Sequence, residues 1–366
     1  MNRRDFLQAL SVAAGGLALP GCALTHGVLG GAIDRRARVA RHSPLIRSFD
    51  PWAPLSVGNG SFAFTTDATG LQTFPEAYRE LPLATQAEWG WQSFANPNGY
   101  RLEDAMEEYD AHGRMVKYAS RQGGQAGSWL RENPHRLSLG RIGLDLRRAD
   151  GTAAQPSDVT GVEQRLDLWT GTIDSRFTHA GRPVRVRTWA HPARDLIAVR
   201  VEASDLPPEL LALRVAFPYA NPVHTGDPSD WTHPEAHRTD LEERGATGVT
   251  WRRTLGETRY AARGSWSPNL RLAQTAPHDF RLEPTGLGAL ELVIDFSKDP
   301  TAGALPTVGE VQRASAEHWA RFWSGGGVLD LSESTDPRAA ELERRIVLSE
   351  YLTAIQCAGT IPPQET

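Results

Sequence analysis

The chain has 366 residues, room for roughly two domains at ~150 residues each. Hydrophobic residues make up 40% and charged residues 23%, a soluble globular balance that excludes a disordered chain and a polytopic membrane protein. The formal net charge of -5 leaves no basic surplus for phosphates, which argues against nucleic acid as a partner, and two cysteines exclude a disulfide framework or a four-cysteine zinc site.

The first predicted element is a leader. Asn2-Arg3-Arg4-Asp5-Phe6-Leu7-Gln8 precedes a small and apolar run from Ala9 to Leu19. That run is far short of the ~20 apolar residues a spanning helix needs. A basic start, a short apolar centre and small residues near the end are the layout of a cleavable export signal. The alternative is a buried N-terminal helix. The paired arginines before Asp5-Phe6-Leu7 resemble a twin-arginine signal, which implies export to the periplasm or cell envelope. Leu19-Pro20-Gly21-Cys22 resembles a bacterial lipobox, which implies lipidation of Cys22 and membrane attachment. An ordinary signal peptide cleaved nearby is the other reading. Residues 1–22 are read as signal and the Gly-, Ala- and Arg-rich residues 23–42 as a tether.

Period two then dominates. Gln164 to Thr170, Thr172 to Phe177, Val184 to Trp189 and Leu196 to Val201 alternate apolar with polar and are joined by short turns. They predict an antiparallel meander. Further strands are expected at Ser61–Thr65, Arg141–Leu146, Leu211–Phe217, Val249–Arg253, Thr258–Ala262 and Leu290–Asp295. So many strands predict a mainly β fold, a large antiparallel sandwich over residues 43–305. No Gly-rich loop joins a strand to a helix, so a dinucleotide fold is not expected, and no cofactor is.

The period changes near residue 307. Val308 to Phe322 reads as a helix, with Val311, Ala314, Ala316, Trp319 and Phe322 available for packing. Thr307 and Glu310 are spaced as a capping box. Val328 to Leu331 reads as a short strand, closing a linker over residues 306–335. Pro337 to Cys357 is a second helix with Asp336 as N-cap, and Leu342, Ile346, Leu348, Leu352 and Ile355 form its stripe. Cys357 is expected as a buried free thiol. The stripe must pack on something. It either docks back on the sandwich or opens another domain.

Several short motifs carry a family resemblance. Pro54-Leu55-Ser56-Val57-Gly58-Asn59-Gly60-Ser61-Phe62 resembles a Gly-Asn-Gly strand-turn near the start of glycoside hydrolase families 65 and 95. The run from Gln164-Arg165-Leu166-Asp167-Leu168 through Gly171, Gly181 and Trp189 to Val199-Arg200-Val201 resembles the meander of the same domain. Trp89-Gly90-Trp91, Asn133-Pro134-His135-Arg136 and Pro362-Pro363-Gln364-Glu365 resemble bacterial members of this six-hairpin group. The resemblance implies a β-supersandwich, a linker helix, and in residues 336–366 the first helix of an (α/α)6 toroid. In these families the catalytic acid and base lie on toroid loops. The chain is therefore expected to be truncated before them, and no catalytic residue is assigned here.

Candidate contacts with a saccharide are each weighed against a plainer role. Asn59 would hydrogen-bond sugar hydroxyls, or it serves a turn that needs positive φ. Trp89 and Trp91 would stack on a pyranose, or they belong to the sandwich core. Trp231 is a further platform of the same kind. Glu365 would project into a toroid pocket, or it is a solvated loop residue. His135 would hydrogen-bond between domains, or it is a satisfied structural histidine. His224, Asp227, Asp230, His233, Glu235 and His237 crowd one loop, but their spacing matches no known ligand set; a solvated loop and no metal are expected. The expected function is that of an exported glycoside hydrolase-like protein of carbohydrate metabolism, with weak or no turnover by this chain. The alternative is a non-catalytic cell-envelope carbohydrate-binding or scaffold protein.

Overall fold

The alternating segments become antiparallel sheet, and the two 3.6-period segments become helices that cover them. The computed structural model describes residues 33–120, 123–203, 205–223, 226–286, 288–300 and 303–362. Helix α1 spans Arg35–Arg41, followed by β1 (Leu45–Ile46), β2 (Leu55–Gly58), β3 (Phe62–Thr66), β4 (Thr85–Ala87) and β5 (Trp91–Gln92). Next come β6 (Glu107–Asp110), β7 (Met115–Tyr118), α2 (Gln125–Glu132), β8 (His135–Arg136) and β9 (Arg141–Leu146). The meander is β10 (Val159–Asp167), β11 (Thr172–His179), β12 (Arg182–Ala190) and β13 (Leu196–Glu202). Then follow β14 (Leu211–Ala216), β15 (Tyr219–Ala220), β16 (Ser229–Asp230), β17 (Arg238–Glu242) and β18 (Gly248–Leu255). The last strands are β19 (Thr258–Trp266), β20 (Leu270–Ala276), β21 (Asp279–Pro284) and β22 (Leu290–Ser297), before α3 (Val308–Ser324) and α4 (Ala339–Gln356).

The fold is mainly β. Nine strands form one antiparallel sheet in the order β1-β10-β11-β12-β13-β22-β19-β18-β17. Smaller sheets have the orders β20-β21-β14-β9 and β2-β3-β4. Phe177, Val186, Ile197 and Val199 of the large sheet share a core with Leu213, Val215 and Phe280 of the four-stranded sheet and with Phe62 and Phe64. Part of the opposite face lies under α3, where Trp189, Leu196, Ala198 and Val293 pack with Val308 and Val311. Strand β13 is therefore buried at four successive positions, 196 to 199. Ile197 and Val199 face the sandwich while Leu196 and Ala198 face the helix, as a strand covered on both sides requires.

Helix α3 begins as the sequence predicts. Thr307 Oγ1 accepts from the Glu310 amide, and Glu310 Oε2 accepts from the Thr307 amide at 2.7 Å. Its packing face is shifted from the expected one: Val308, Val311, Ser315, Trp319 and Trp323 are buried, and Phe322 is exposed. Gly171 sits directly beneath this face at φ +63°, where a β-carbon would collide with Trp319 and Ser315.

Four expectations are corrected. Residues 35–41 of the supposed tether form α1, with Arg38 and Val39 buried. Residues 328–331 form no strand, because side chains satisfy their backbone: Arg38 Nε donates to Leu329 O, and the Leu331 amide donates to Glu343. Cys357 is exposed at the end of α4. The buried stripe of α4 is Ala339, Glu343, Val347, Tyr351 and Ile355, while Leu342 and Leu352 face outward. At the start of this helix Asp336 Oδ1 accepts from the Arg338 amide at 2.8 Å, and the regular helix begins at Ala339.

Helix α4 docks back on the sandwich, one of the two outcomes its stripe allows. Tyr351 Oη donates to Ser56 O at 3.0 Å, and Ile355 O accepts from the Gly60 amide at 3.0 Å. Burying Val347 and Ile355 contributes about 1.5–3 kcal/mol each. Glu343 reaches α1 from the same stripe. It accepts from Arg41 Nε at 2.9 Å and contacts His42 Nε2 at 2.6 Å. From Arg35 onward the chain clusters as one compact unit, with no boundary at 305 or 335.

Candidate functional site

The Gly-Asn-Gly turn is where the sandwich meets the end of α4. A β-carbon on Gly58 would collide with Phe62 O and Ile355 O, and one on Gly60 would collide with Ala358. Gly60 also has φ +100°, in the region that favours glycine. Asn59 between them uses both ends of its amide. Nδ2 donates to Arg194 O at 2.9 Å and to His191 O at 3.3 Å, while Oδ1 accepts from Phe62 N at 2.9 Å and from Ser61 N and Oγ at 3.1 Å. The turn is thereby fastened to the loop between β12 and β13.

That loop supplies Asp195, which links two of the sequence candidates. Trp89 Nε1 donates to Asp195 Oδ2 at 2.7 Å, and Ser61 Oγ lies 3.5 Å from Oδ1. Burial pushes the Asp195 carboxyl above its ordinary value, against the hydrogen bonds from Trp89 and Asn59. The Trp89 ring lies against Tyr260 at 6.0 Å.

The Trp89-Gly90-Trp91 and Asn133-Pro134-His135-Arg136 motifs meet through strands β5 and β8. Trp91 pairs with Arg136 and Gln92 with His135. The Arg136 guanidinium lies over the Trp91 ring at 4.1 Å, and its Nη1 donates to Ala87 O and Glu88 O at 3.1 and 3.3 Å. Trp91 Nε1 donates to Glu88 O at 2.8 Å. One face of Trp91 is thus covered by arginine. The His135 ring contacts Glu132 O through Nδ1 at 2.7 Å, and burial holds its pKa below the usual histidine range.

These segments wall a cleft of about 600 Å³. Its lining comes from residues 60–63, 86–88, 134–136, 221–223, 355–356 and 361–362, with Glu80 and Arg131 among the charged contributors. Gln86, Glu88, Arg136, Asn221 and Gln356 supply hydrogen-bonding groups, and Ile355 and Ile361 supply apolar surface. Glu88 is fixed by Thr360, whose amide and Oγ1 donate to its two oxygens at 2.8 and 2.6 Å. The Thr360 hydroxyl bond is the main reason Glu88 is held below the ordinary carboxylate range. A second depression, of about 520 Å³, lies beside the β6–β7 hairpin and is lined by one local segment around Glu107 and Lys117.

The sequence candidates are thus distributed. Asn59 and Trp89 share the Asp195 network, and Trp91 backs the cleft wall through Arg136. Trp231 is exposed elsewhere, with Arg141 over its ring at 4.3 Å. Glu365, Cys22, the arginine pair and His224 lie outside the described residues. Within the acidic, histidine-rich loop, His233 contacts Asp230 at 2.6 Å on the surface. His237 departs from the solvated loop expected there: it is buried, stacked on His278 at 3.8 Å. Among the described residues no group of three or more His, Cys, Asp or Glu is placed to hold a metal ion. Sequence reasoning passed over Glu88 and Thr360. The only signal for Glu88 was its position next to Trp89, and nothing local marked Thr360.

No protein-family model and no curated protein matches the chain. Among solved structures it is similar to a candidate kojibiose phosphorylase from the human microbiome, with a TM-score of 0.42 and 10% identity over 83% of this chain and 37% of that one. It is also similar to a family GH92 α-mannosidase from Bacteroides thetaiotaomicron bound to mannoimidazole, with a TM-score of 0.35 and 8% identity over 87% of this chain and 40% of that one. The chain thus spans two fifths or less of the length of these two structures.

Proposed function

We propose that the chain is part of an exported glycoside hydrolase-like protein of carbohydrate metabolism, and that the cleft receives a saccharide. The observation that carries this reading is the cleft lining. Segments far apart in sequence bring amides, a carboxylate and a guanidinium to one concavity beside apolar side chains, the mixture that orients hydroxylated ligands. The Gly-Asn-Gly and Asn-Pro-His-Arg motifs support it, since both contribute lining residues, and the Trp-Gly-Trp motif supports Arg136 from behind through Trp91. Under this reading α4 is the first helix of a toroid, with Leu342 and Leu352 on its outward side.

The second reading is a non-catalytic carbohydrate-binding protein of the cell envelope. The fixed orientation of Glu88 favours it for this chain: Thr360 donates to both of its oxygens, which suits a hydrogen-bond acceptor for a ligand hydroxyl. The chain should therefore bind oligosaccharides and show little release of reducing sugar or consumption of phosphate. Turnover at ordinary enzyme rates would overturn the non-catalytic reading. Absence of any saccharide binding would overturn both.

Export and anchoring rest on Arg3, Arg4 and Cys22. Replacing both arginines with lysine should retain the protein in the cytoplasm. Cys22→Ser should release an exported protein from the membrane fraction. Normal export of the double lysine variant would remove the twin-arginine assignment.

A further inference from the structure

Glu88 and Arg136 both line the cleft without pairing with each other. Among the described residues no carboxylate lies within ion-pair distance of Arg136. Glu88 acts on its charge only from farther away. Each group is held from behind. Trp91 supports the guanidinium, and the carbonyls of Ala87 and Glu88 hold Nη1. Thr360 donates one bond to each oxygen of Glu88.

Neither group is exhausted by these contacts. A carboxylate offers about four acceptor sites; Thr360 occupies two and the Ile361 amide acts on a third, which leaves room for a ligand hydroxyl. A guanidinium has five N–H donors, and the two carbonyls engage only Nη1. The wall therefore presents a charged acceptor near a charged donor, each already oriented. Charge-assisted bonds of this kind are roughly twice as strong as neutral ones. Adjacent hydroxyls on a ring match that pattern, because one can donate while its neighbour accepts. A carboxylated ligand matches it less well, since Glu80 and Glu88 offset Arg131 and Arg136 and leave the lining no net positive charge to hold an anion.

Resting on the carbohydrate reading above, we propose that Glu88 and Arg136 form a clamp for a vicinal diol of a neutral saccharide. Trp91 is a positioning residue in this arrangement. It holds Arg136 instead of stacking on the sugar through the covered face. Ser61, Gln86 and Gln356 line the same cleft and supply neutral hydrogen-bonding groups for the remaining hydroxyls.

The test is calorimetric titration of the full chain with maltotriose, cellotriose and mannotriose, and with glucuronic acid as the carboxylated probe. The wild type is compared with Glu88→Gln and Arg136→Lys, and thermal midpoints are recorded for all three proteins. At least one neutral trisaccharide should bind, and both variants should weaken it about tenfold or more with midpoints unchanged. Should Arg136→Lys lower the midpoint, Glu88→Gln carries the comparison. Undiminished binding in the variants would overturn the clamp and leave the carbohydrate reading standing. Tighter binding of glucuronic acid, lost in Arg136→Lys, would overturn the neutral-ligand assignment. No binding of any probe at millimolar concentration would overturn the carbohydrate reading itself.

Discussion

Asn59 illustrates how a residue type permits two roles that only its partners separate. In sequence it stands between two glycines in a turn, where an amide suits both a tight backbone and a sugar hydroxyl. In the fold its amide joins the turn to His191 O and Arg194 O and receives three donors from Ser61 and Phe62. Asn59→Ala should therefore lower stability by about 2–3 kcal/mol, measured by urea unfolding, because several part-buried partners lose their bonds at once. An unchanged urea midpoint together with lost saccharide binding would place the amide on a ligand instead. Glu88 and Thr360 were not legible as partners, since 272 positions separate them and neither carries a motif. Glu343 was equally hidden. A helical stripe is found by its apolar residues, yet here a buried carboxylate occupies the stripe because Arg41, His42 and the Leu331 amide satisfy it.

The sequence marks elements well where period and turn chemistry coincide. The meander strands over Thr172–Phe177, Val184–Trp189 and Leu196–Val201, Arg141–Leu146 and the Thr307–Glu310 cap fall where alternation and capping place them, while β10 begins earlier than expected, at Val159, and ends at Asp167. It marks them poorly where backbone groups are satisfied by distant side chains, as at residues 328–331. Gly171 shows how one position ties two elements together. Gly171→Ala requires a positive φ and room that Trp319 occupies, so it should cost about 2–4 kcal/mol in urea unfolding, without altering the cap at Thr307. A second element-level prediction concerns β17 and β18. His237 packs against the buried Arg253, and burial, with Arg253 and His278 nearby, pushes its pKa down to about 3. The folded value lies below the unfolded one, so the unfolded chain binds the proton first on acidification. The stabilising effect is complete above pH ~6.5 and is lost as pH falls toward 3. Between pH 7.5 and 5.0 the wild type should lose about 2 kcal/mol through this group, and His237→Gln should flatten the profile by that amount in urea unfolding. An identical pH profile in the variant would show that His237 is not the titrating group.

At the scale of the whole molecule the sheets, α3 and α4 act as one unit. Removing residues 336–366 takes away Val347, Tyr351 and Ile355 from the main core and leaves Arg41 and His42 without Glu343. The shortened chain should melt about 10 °C or more below the full chain, or fail to unfold cooperatively, in a thermal scan. An unchanged midpoint would show that the sandwich is complete without α4. Composition, period-two alternation and the two helical segments, the first with its capping box, determined by themselves that this protein is a β-sandwich followed by helices. Those signals are local, because a residue's side of a strand or helix follows from its neighbours a few positions away. Only the tertiary structure decided which stripe of α4 is buried, that residues 35–41 belong to the fold, and that Glu88 and Arg136 share one cleft with Thr360 holding Glu88. Such juxtapositions arise from packing among segments up to 300 residues apart, and no local periodicity encodes which of them will meet.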